Sequence, residues 1–203
     1  MAAKVLGIYG SPRRGGNSDL LLDRALEGAA SAGAEVKKIY ARKLKMSGCL
    51  ECGGCDQTGQ CVVDDQMQDV YPLLDWAEVI ILAGPVFFYS LPAQVKALID
   101  RGQAMWSRRK LTKTREERRT YDSGRGFLIG VGATRGQNLF QGVDLTARYF
   151  FDALDMDYGG GLFFRQIEAK GAVAEHPQAL DQAFEFGRRA AGGSTQSAPD
   201  QRS

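Results

Sequence analysis

The residues best suited to chemistry are four cysteines that lie close together in the first third of the chain. Cys49, Cys52, Cys55 and Cys61 have the spacing C-x2-C-x2-C-x5-C, in a stretch rich in glycine. Four thiolates this close can bind one tetrahedral metal ion or one cubane iron–sulfur cluster. Zinc sites more often contain two C-x2-C pairs separated by a longer run, whereas three cysteines two apart are typical of ferredoxin loops. The spacing favours a [4Fe–4S] cluster; zinc, or metal-free thiols that oxidise reversibly, are the alternatives.

A second polar cluster, GSPRRGGNS at residues 10–18, follows the first strand-like run. Its hydroxyl groups, glycine amides and helix amino terminus together favour an anion. Arg13 or Arg14 can add a charge-assisted contact to phosphate. The loop has neither the GxGxxG pattern nor the P-loop lysine, and the second strand ends at Tyr40 instead of an acidic residue for ribose. These residues predict a site for one phosphate group.

Two further loops carry groups that suit a flat aromatic ligand. Residues 84–92 contain three consecutive aromatic side chains, Phe87, Phe88 and Tyr89, between two prolines. Aromatic surface beside a phosphate site suits a ring such as isoalloxazine, although packing of one or two of these rings in the core is a competing explanation. Residues 132–138 have amides predicted to hydrogen-bond the polar edge of such a ring. Arg135 is placed to stabilise the reduced, anionic form of the ring.

Five strand-like runs alternate with helical segments and position these loops. The predicted strands cover residues 4–10, 34–40, 76–84, 125–133 and about 160–166. The predicted helices cover residues 18–33, about 65–74, 92–106, about 138–154 and about 177–191. This alternation predicts a doubly wound α/β fold, a parallel sheet with helices on both faces. In such sheets ligands lie at the carboxyl ends of the strands, where the loops above are placed.

Short polar residues mark the starts of two helices. Asn17 or Ser18 is predicted to cap the first helix. Asp64 and Asp65 are interpreted as the cap and first turn of the second helix instead of metal ligands or acid catalysts. The single histidine, His176, precedes a proline at a helix start, which gives little support to a general base. No side chain is predicted to be catalytic.

Length and charge exclude several classes of function. The chain has 203 residues, of which 44% are hydrophobic and 25% charged, and this suits one globular domain. The net charge of +2 is too small to indicate a nucleic-acid or membrane partner. No apolar run reaches the roughly 18–20 residues that span a bilayer, and a strand-like run from Val5 leaves no room for a signal peptide. We therefore expect a cytoplasmic protein, in which cysteines are more often ligands or redox groups than disulfides.

Three regions of the chain differ in composition from the main domain, which is predicted to cover residues 1–191. The first is the cysteine-rich loop at residues 47–64. Residues 107–125 are dense in arginine and lysine and are interpreted as a solvated insertion, with binding to phosphate or to another subunit as the alternative. The polar residues 192–203 are predicted to form a disordered tail.

The segments GSPRRGGNS, PVFFYSLPAQVKALIDR and GATRGQ, in this order, resemble the NADPH-dependent FMN reductase branch of the flavodoxin-like superfamily. The resemblance runs from about residue 3 to residue 190. It implies a flavodoxin-like five-stranded sheet of order 2-1-3-4-5 with FMN as cofactor. It assigns the FMN phosphate to Ser11, Arg13, Asn17 and Ser18, one side of the ring to Pro85, Val86, Phe87, Phe88, Tyr89 and Ser90, and the other side to Thr134, Arg135 and Gly136.

The cysteine segment also resembles the compact motif of the iron–sulfur flavoproteins, a subfamily that carries a [4Fe–4S] cluster in the same loop after the second strand. This resemblance implies homodimers or homotetramers in which the cluster of one subunit approaches the flavin of another. FMN accepts one or two electrons and the cluster accepts one, so the expected function is to split or join electron pairs. Electrons are expected to enter from a ferredoxin-like donor or NAD(P)H and to leave to a small acceptor such as oxygen, peroxide or a quinone.

Two other functions are compatible with the same residues. One is an NAD(P)H-dependent FMN or quinone reductase whose cysteines bind zinc or remain thiols. The other is a redox-responsive binding protein, in which oxidation of the cysteines alters contact with a partner through the basic residues 107–125.

Overall fold

Five strands of the described residues pair in parallel and form one sheet. In the computed structural model, which describes residues 2–192, the strands are β1 (Lys4–Tyr9), β2 (Glu35–Tyr40), β3 (Val79–Pro85), β4 (Arg125–Val131) and β5 (Asp157–Phe164). Their order across the sheet is β2-β1-β3-β4-β5, which confirms the prediction. In the central strand β1, Ile8 aligns with Ile39 of β2 and with Leu82 of β3, so both edges of β1 are paired.

In the part of the chain that the structure describes, six α-helices cover the two faces of the sheet. They are α1 (Asn17–Ser31), α2 (Met67–Trp76), α3 (Ala93–Arg101), α4 (Gln103–Thr112), α5 (Gln141–Ala153) and α6 (Ala179–Ala191). Successive residues of a strand point to opposite faces. Leu6 and Ile8 of β1 pack with α2, α3 and α5, whereas Val5 and Tyr9 pack with α1 and α6. Helices on both faces confirm the doubly wound architecture and explain the uninterrupted apolar sequence of β3.

Helices α1 and α6 approach each other so closely that glycine is required where they touch. A Cβ atom on Gly28 would lie 1.9 Å from Phe184 O, and one on Gly187 would lie 1.8 Å from Ala25 O. In both cases the obstacle is backbone, which cannot move as a flexible side chain can. This contact fixes α6 against α1 on one face of the sheet.

The helix predicted over residues 92–106 is divided at Gly102 into α3 and α4. Gly102 N donates to Ile99 O at 2.9 Å. A Cβ atom on Gly102 would lie 2.8 Å from Ile99 O and 3.4 Å from the ring of Phe150 in α5. The Phe150 ring packs against Gly102 at the point where the helix is divided. Periodicity alone does not reveal this contact. Helix α4 then continues into the basic stretch.

The basic stretch at residues 107–125 is buried at its start, in contrast to the solvated insertion expected. Ser107 and Arg109 are buried side chains of α4. Arg109 pairs with Asp152 at 2.8 Å and with Asp155 at 2.7 Å. Most of the other residues in this stretch are exposed. Its beginning is therefore part of the packed domain.

The boundaries of three other elements differ from the prediction. Gly16 is the N-cap of α1, with no side-chain capping bond, so the prediction that Asn17 or Ser18 caps this helix is wrong. Strand β5 begins at Asp157, earlier than predicted, because Asp157 and Tyr158 pair with Arg125 and Gly126 of β4. Helix α5 begins later, since Gln141 N donates to Asn138 O in a turn that precedes the helix.

The remaining regional predictions concern loops and termini. The predicted cysteine-rich loop lies between the 3-10 turn Ala41–Lys43 and α2, without a helix or strand of its own. The predicted tail, apart from Gly192, lies outside the described residues. Within residues 2–192, no helix is long and apolar enough to cross a membrane.

The contact between α1 and α6 predicts that Gly187→Ala lowers the free energy of unfolding by about 1–3 kcal/mol, because the added methyl group forces two backbones apart. Gly48→Ala is the matched control, since its nearest neighbour would lie 3.9 Å from the new Cβ atom. Urea denaturation of both variants measures the difference. A Gly187→Ala protein as stable as the wild type would contradict the tight helix contact.

Candidate functional site

The loops that follow β1, β3 and β4 leave the sheet side by side at its carboxyl edge. Gly10 N donates to Ala83 O at 2.7 Å, and Val86 N donates to Val131 O at 2.8 Å. Pro85 is the last residue of β3, and Val86 packs partly against the core. The structure thus brings together the three loops that were predicted to bind one ligand.

The loop after β1 is closed by its own hydroxyl group and by a buried ion pair. Ser11 is buried, and its Oγ accepts from Arg13 N at 3.1 Å. Asp19, in the first turn of α1, accepts from Gly15 N at 3.0 Å and pairs with Arg42 at 3.0 Å. Arg42 comes from the turn after β2 and also donates to Ser11 O at 3.1 Å. Asp19 and Arg42 were not predicted as site residues.

The surface around this loop carries positively charged side chains, whereas the buried pair of Asp19 and Arg42 beneath it has no net charge. Burial raises the pKa of Asp19 above its ordinary value, and hydrogen bonds from the loop amide and from its arginine partner offset only part of this. Arg13 and Arg14 are exposed. Lys170, which follows β5 and was not predicted, places its Cε 3.9 Å from where a Cβ atom on Gly15 would lie. The surface around the loop therefore carries three cations.

The side chain of Asn17 joins the loop to the segment after β5. Its Nδ2 donates to Ala169 O at 2.8 Å, and its Oδ1 accepts from Val173 N at 3.2 Å. The next residue, Ser18, is buried. Because the first amides of a helix have no acceptor within it, the backbone amides of Asn17 and Ser18 are the donors available to an anion.

The loop after β3 presents its aromatic side chains to solvent. Phe87 and Ser90 exchange two backbone hydrogen bonds, of 2.8 and 2.9 Å, across a two-residue turn. The turn residues Phe88 and Tyr89 have φ angles of 50° and 60°, in the region that asparagine and glycine adopt most readily. Phe88 is fully exposed, and Phe87 and Tyr89 are about half exposed, so core packing does not explain these rings. We call residues 87–90 the aromatic turn; its strain and exposure are typical of a functional surface.

The loop after β4 faces the aromatic turn. A Cβ atom on Gly136 would lie 3.5 Å from the Tyr89 hydroxyl. Thr134 and Arg135 are exposed on the same loop. Arg165, just after β5, donates to two carbonyl oxygens of the loop and so holds it in place. Arg165 was not predicted, because its contacts are with the backbone of a distant segment.

All four cysteines line one cavity of about 440 Å³, beside residues of α3 and α4. Cys49 and Cys52 are exposed, Cys55 and Cys61 are partly buried, and all four thiols are free. Glu51 N donates to Cys49 Sγ at 3.4 Å. Among residues 2–192, no group of three or more histidine, cysteine or acidic side chains is arranged to hold a metal ion. The structure therefore gathers the predicted ligands around one space, without a formed ligand shell in the described residues.

The two ends of the cysteine loop are held together by Arg101, which was not predicted as a site residue. Arg101 ends α3, is 1% exposed and lines the cysteine cavity. Its guanidinium donates to Ser47 O at 3.2 Å and to Val63 O at 3.3 Å, and pairs with Asp65 at 2.7 Å. Asp65 also accepts from Ser47 N at 3.1 Å. We call Ser47, Val63, Asp65 and Arg101 the Arg101 clasp.

Asp65 is the charged partner within this clasp. Burial raises the pKa of Asp65, but hydrogen bonds from Arg101 and from the amides of Met67 and Ser47 outweigh burial and hold this pKa below the ordinary 3.8. Asp65 accepts from Met67 N at 3.0 Å, but α2 begins at Met67 with Gln66 as its N-cap, so the prediction that Asp64 and Asp65 form the cap and first turn is wrong. The ion pair with Arg101 is the interaction that the cap prediction did not include.

Comparison with known proteins identifies relatives of this chain. The family described as NADPH-dependent FMN reductase matches residues 3–140. An iron-sulfur flavoprotein of Methanocaldococcus jannaschii is 34% identical over 170 residues, which are 82% of this chain and 80% of that protein. An iron-sulfur flavoprotein of Archaeoglobus fulgidus is 40% identical over 98 residues, which are 48% of this chain and 44% of that protein. The chain spans about half the length of several curated relatives that it matches.

A solved structure extends the comparison to the fold. NAD(P)H:quinone oxidoreductase from Methanothermobacter marburgensis superposes with a TM-score of 0.68 at 12% identity, over 93% of this chain and 96% of that one. At this identity the likeness concerns the fold alone. It agrees with the flavodoxin-like strand order observed here.

The lowered pKa of Asp65 predicts how the stability of the clasp depends on pH. At pH 7, Asp65→Asn leaves a buried guanidinium without its anion and lowers the free energy of unfolding by about 3–5 kcal/mol. The stabilisation by Asp65 is present above pH 3.8 and is lost as the pH falls through its lower folded-state pKa. The free energies of unfolding of the wild type and of Asp65→Asn, measured by urea denaturation, therefore become more similar as the pH falls into this acidic range.

The exposed pair of Lys96 and Asp100 supplies the control for this measurement. Asp100→Asn is expected to change the free energy of unfolding by less than about 1 kcal/mol, because exposed ion pairs contribute little. An equal loss in both variants, or a difference for Asp65→Asn that does not change with pH, would contradict the assignment of Asp65.

Proposed function

Because the chain belongs to the NADPH-dependent FMN reductase family, we propose that it is an FMN-dependent oxidoreductase with a [4Fe–4S] cluster on its cysteine loop. The observation that carries the cluster is that Cys49, Cys52, Cys55 and Cys61 line one cavity. The name of the Methanocaldococcus relative, matched over 80% of its length, supports the same assignment. The proposed activity is electron transfer between a ferredoxin-like or NAD(P)H donor and a small acceptor such as oxygen, peroxide or a quinone.

The loop after β1 suits the phosphate end of FMN. A Cβ atom on Gly16 would lie 3.3 Å from Ser11 Oγ and from Arg13 O, so the tight curve of this loop favours glycine. First-turn amides of α1 and the cations Arg13 and Lys170 supply the donors and the charge that a phosphate requires. The acid beneath the loop, Asp19, is paired, so the repulsion of an anion is reduced.

The aromatic turn and the loop after β4 suit the ring of FMN. Phe87, Phe88 and Tyr89 provide exposed aromatic surface for a flat ring. Thr134 and Arg135 lie on the facing loop and supply hydroxyl and N–H donors for the polar edge of the ring. We propose these contacts, together with those of Pro85, Val86, Ser90 and Gly136, as the binding site of the ring.

When bound, FMN supplies one- and two-electron chemistry and the cluster supplies one-electron chemistry. The chain itself binds and orients both groups. The four cysteine thiolates hold the cluster, and the Glu51 N–H that donates to Cys49 Sγ stabilises charge on that sulfur. No side chain is proposed as a nucleophile or proton donor.

We propose a homodimer or homotetramer as the assembled form. Phe88, Leu145 and Tyr149 are large apolar side chains exposed to solvent. They belong to neighbouring elements, because a Cβ atom on Gly142 of α5 would lie 2.2 Å from Tyr89 O in the aromatic turn. Exposed apolar patches of this kind mark interaction surfaces. A cytoplasmic location is also proposed, since four free thiols suit a reducing environment.

The cluster is tested by measuring iron, sulfide, zinc and flavin per chain after purification without oxygen. We expect about four irons per chain in the wild type, and loss of the iron with retention of flavin in Cys49→Ser, because one ligand is removed. Leu50→Ser is the matched control; Leu50 is exposed and neighbours Cys49 but supplies no ligand. It is expected to keep the iron.

Other results would favour the alternative functions. Flavin with zinc or without metal would support an NAD(P)H-dependent FMN or quinone reductase in place of the iron–sulfur protein. Partner binding that changes when the cysteines are oxidised, in a chain without flavin, would support a redox-responsive binding protein.

The phosphate site is tested by comparing the binding of FMN with that of riboflavin, which lacks the phosphate. Arg13→Ala is expected to weaken FMN binding about tenfold or more through loss of a charge-assisted contact, and to leave riboflavin binding unchanged. Arg24→Ala, which removes a cation from α1 further along the helix, is the control. Flavin fluorescence measures both affinities; equal losses for the two flavins would place Arg13 outside the phosphate site.

A further inference from the structure

Arg101 combines three properties that the proposed function does not explain. It is a buried cation on the wall of the cysteine cavity. It hydrogen-bonds the carbonyls of Ser47 and Val63, the two ends of the cysteine loop. Its Nε is the one buried side-chain nitrogen or oxygen atom among residues 2–192 that has no hydrogen-bond partner.

A buried donor without a partner is unfavourable, because its hydrogen bond to water is lost and not replaced. The other two nitrogens of the guanidinium are occupied by Ser47, Val63 and Asp65. Nη2 donates once and keeps a second N–H, whereas Nε has no partner. A ligand in the cavity that accepts from Nε removes the cost of leaving this atom unpaired.

The cavity that Arg101 lines holds the sulfur atoms of all four cysteines, which can accept hydrogen bonds. Cys61 and Arg101 both line this cavity. A guanidinium stays charged in proteins, so a fixed positive charge lies in the same cavity as the thiols.

We propose that Arg101 is the positioning residue of the cysteine site. Arg101 closes the loop through Ser47 and Val63 and directs its Nε–H to a sulfur atom held in the site. The identity of the sulfur group rests on the proposed function, whereas closure of the loop does not. Hydrogen bonds to cluster sulfur and nearby positive charge favour the reduced cluster, so Arg101 raises the reduction potential. Lysine does not reproduce this role, since it lacks the planar fork of donors.

The test compares the reduction potential of the iron-loaded wild type with those of Arg101→Met and Arg108→Met. Arg108 is the matched control, because it is exposed, pairs with Asp75 and packs against Gly59 of the cysteine loop. We expect Arg101→Met to lower the equilibrium constant for reduction at least tenfold, which is about 59 mV for a one-electron couple. Arg108→Met removes the same formal charge from a position that solvent screens. It is expected to change the equilibrium constant for reduction less than about twofold.

Two outcomes of this titration overturn the hydrogen bond to sulfur. One is a wild-type potential in Arg101→Met, and the other is an equal shift in Arg108→Met, which net charge would explain. If Arg101→Met does not retain iron, the reduction potential of Arg101→Lys is measured in its place, because this variant keeps the charge and loses the Nε–H. A lowered potential in Arg101→Lys supports the proposal, and a wild-type potential overturns it.

Hydrogen exchange of the full chain before iron is added separates this proposal from the proposed function. Amides of residues 48–62 are expected to exchange faster in Arg101→Met than in the wild type or in Arg108→Met, because the ends of the loop are released. Equal exchange overturns the role of Arg101 in closing the loop. A wild-type chain that binds no iron would contradict the proposed cluster. Hydrogen exchange would then still decide whether Arg101 closes the loop.

Discussion

Parallel pairing around β1 determines where the candidate site residues lie. All the strands run in one direction, so the loops after β1, β3 and β4 leave the same edge of the sheet. Strand β2 pairs with the other side of β1 and leads into the cysteine loop. Topology therefore places the loop after β1 between the aromatic turn and the start of the cysteine loop. A different strand order would separate them without any change in their sequences.

Two buried pairs of arginine and aspartate hold these loops in the same manner. Arg42 pairs with Asp19 under the loop after β1, and Arg101 pairs with Asp65 under the cysteine loop. In each pair the carboxylate accepts a backbone N–H of the loop and the guanidinium donates to a backbone carbonyl of the loop. Desolvation offsets much of the attraction in a buried ion pair. We therefore interpret both pairs as fixing loop geometry more than adding to stability.

Much of the fold was predictable because its signals are local. Strands β1, β3 and β4 contain apolar runs next to turn-forming residues, and strands that alternate with helices leave few possible topologies. The cysteine spacing and the aromatic run identified the candidate loops in the same way. The break at Gly102 was missed because it coincides with a ring from α5. Arg101 was missed as well, because its contact with Ser47 joins residues 54 positions apart, and periodicity carries no signal for such a contact.

Asn17 illustrates the limit of inference from residue type. A short amide at a helix start is a good cap and a good phosphate ligand, and both roles were predicted. In the structure Gly16 is the N-cap, and the Asn17 side chain bonds Ala169 and Val173 of the segment after β5. The cap prediction is therefore wrong, whereas the contact with phosphate stays a prediction. Tertiary packing selected partners that residue type does not reveal.

The aromatic turn also bears on how the sequence responds to selection. Left-handed backbone at Phe88 and Tyr89 costs of the order of 1–3 kcal/mol for each residue, whereas asparagine followed by glycine adopts such a turn without that strain. Natural proteins retain such costs where activity requires them, and stabilising replacements are otherwise easy to find. Laboratory evolution for heat resistance alone would replace this pair, while evolution under a requirement for redox activity would keep it. Whether a lineage of variants keeps Phe88 and Tyr89 therefore shows whether it was selected for redox activity or for heat resistance alone.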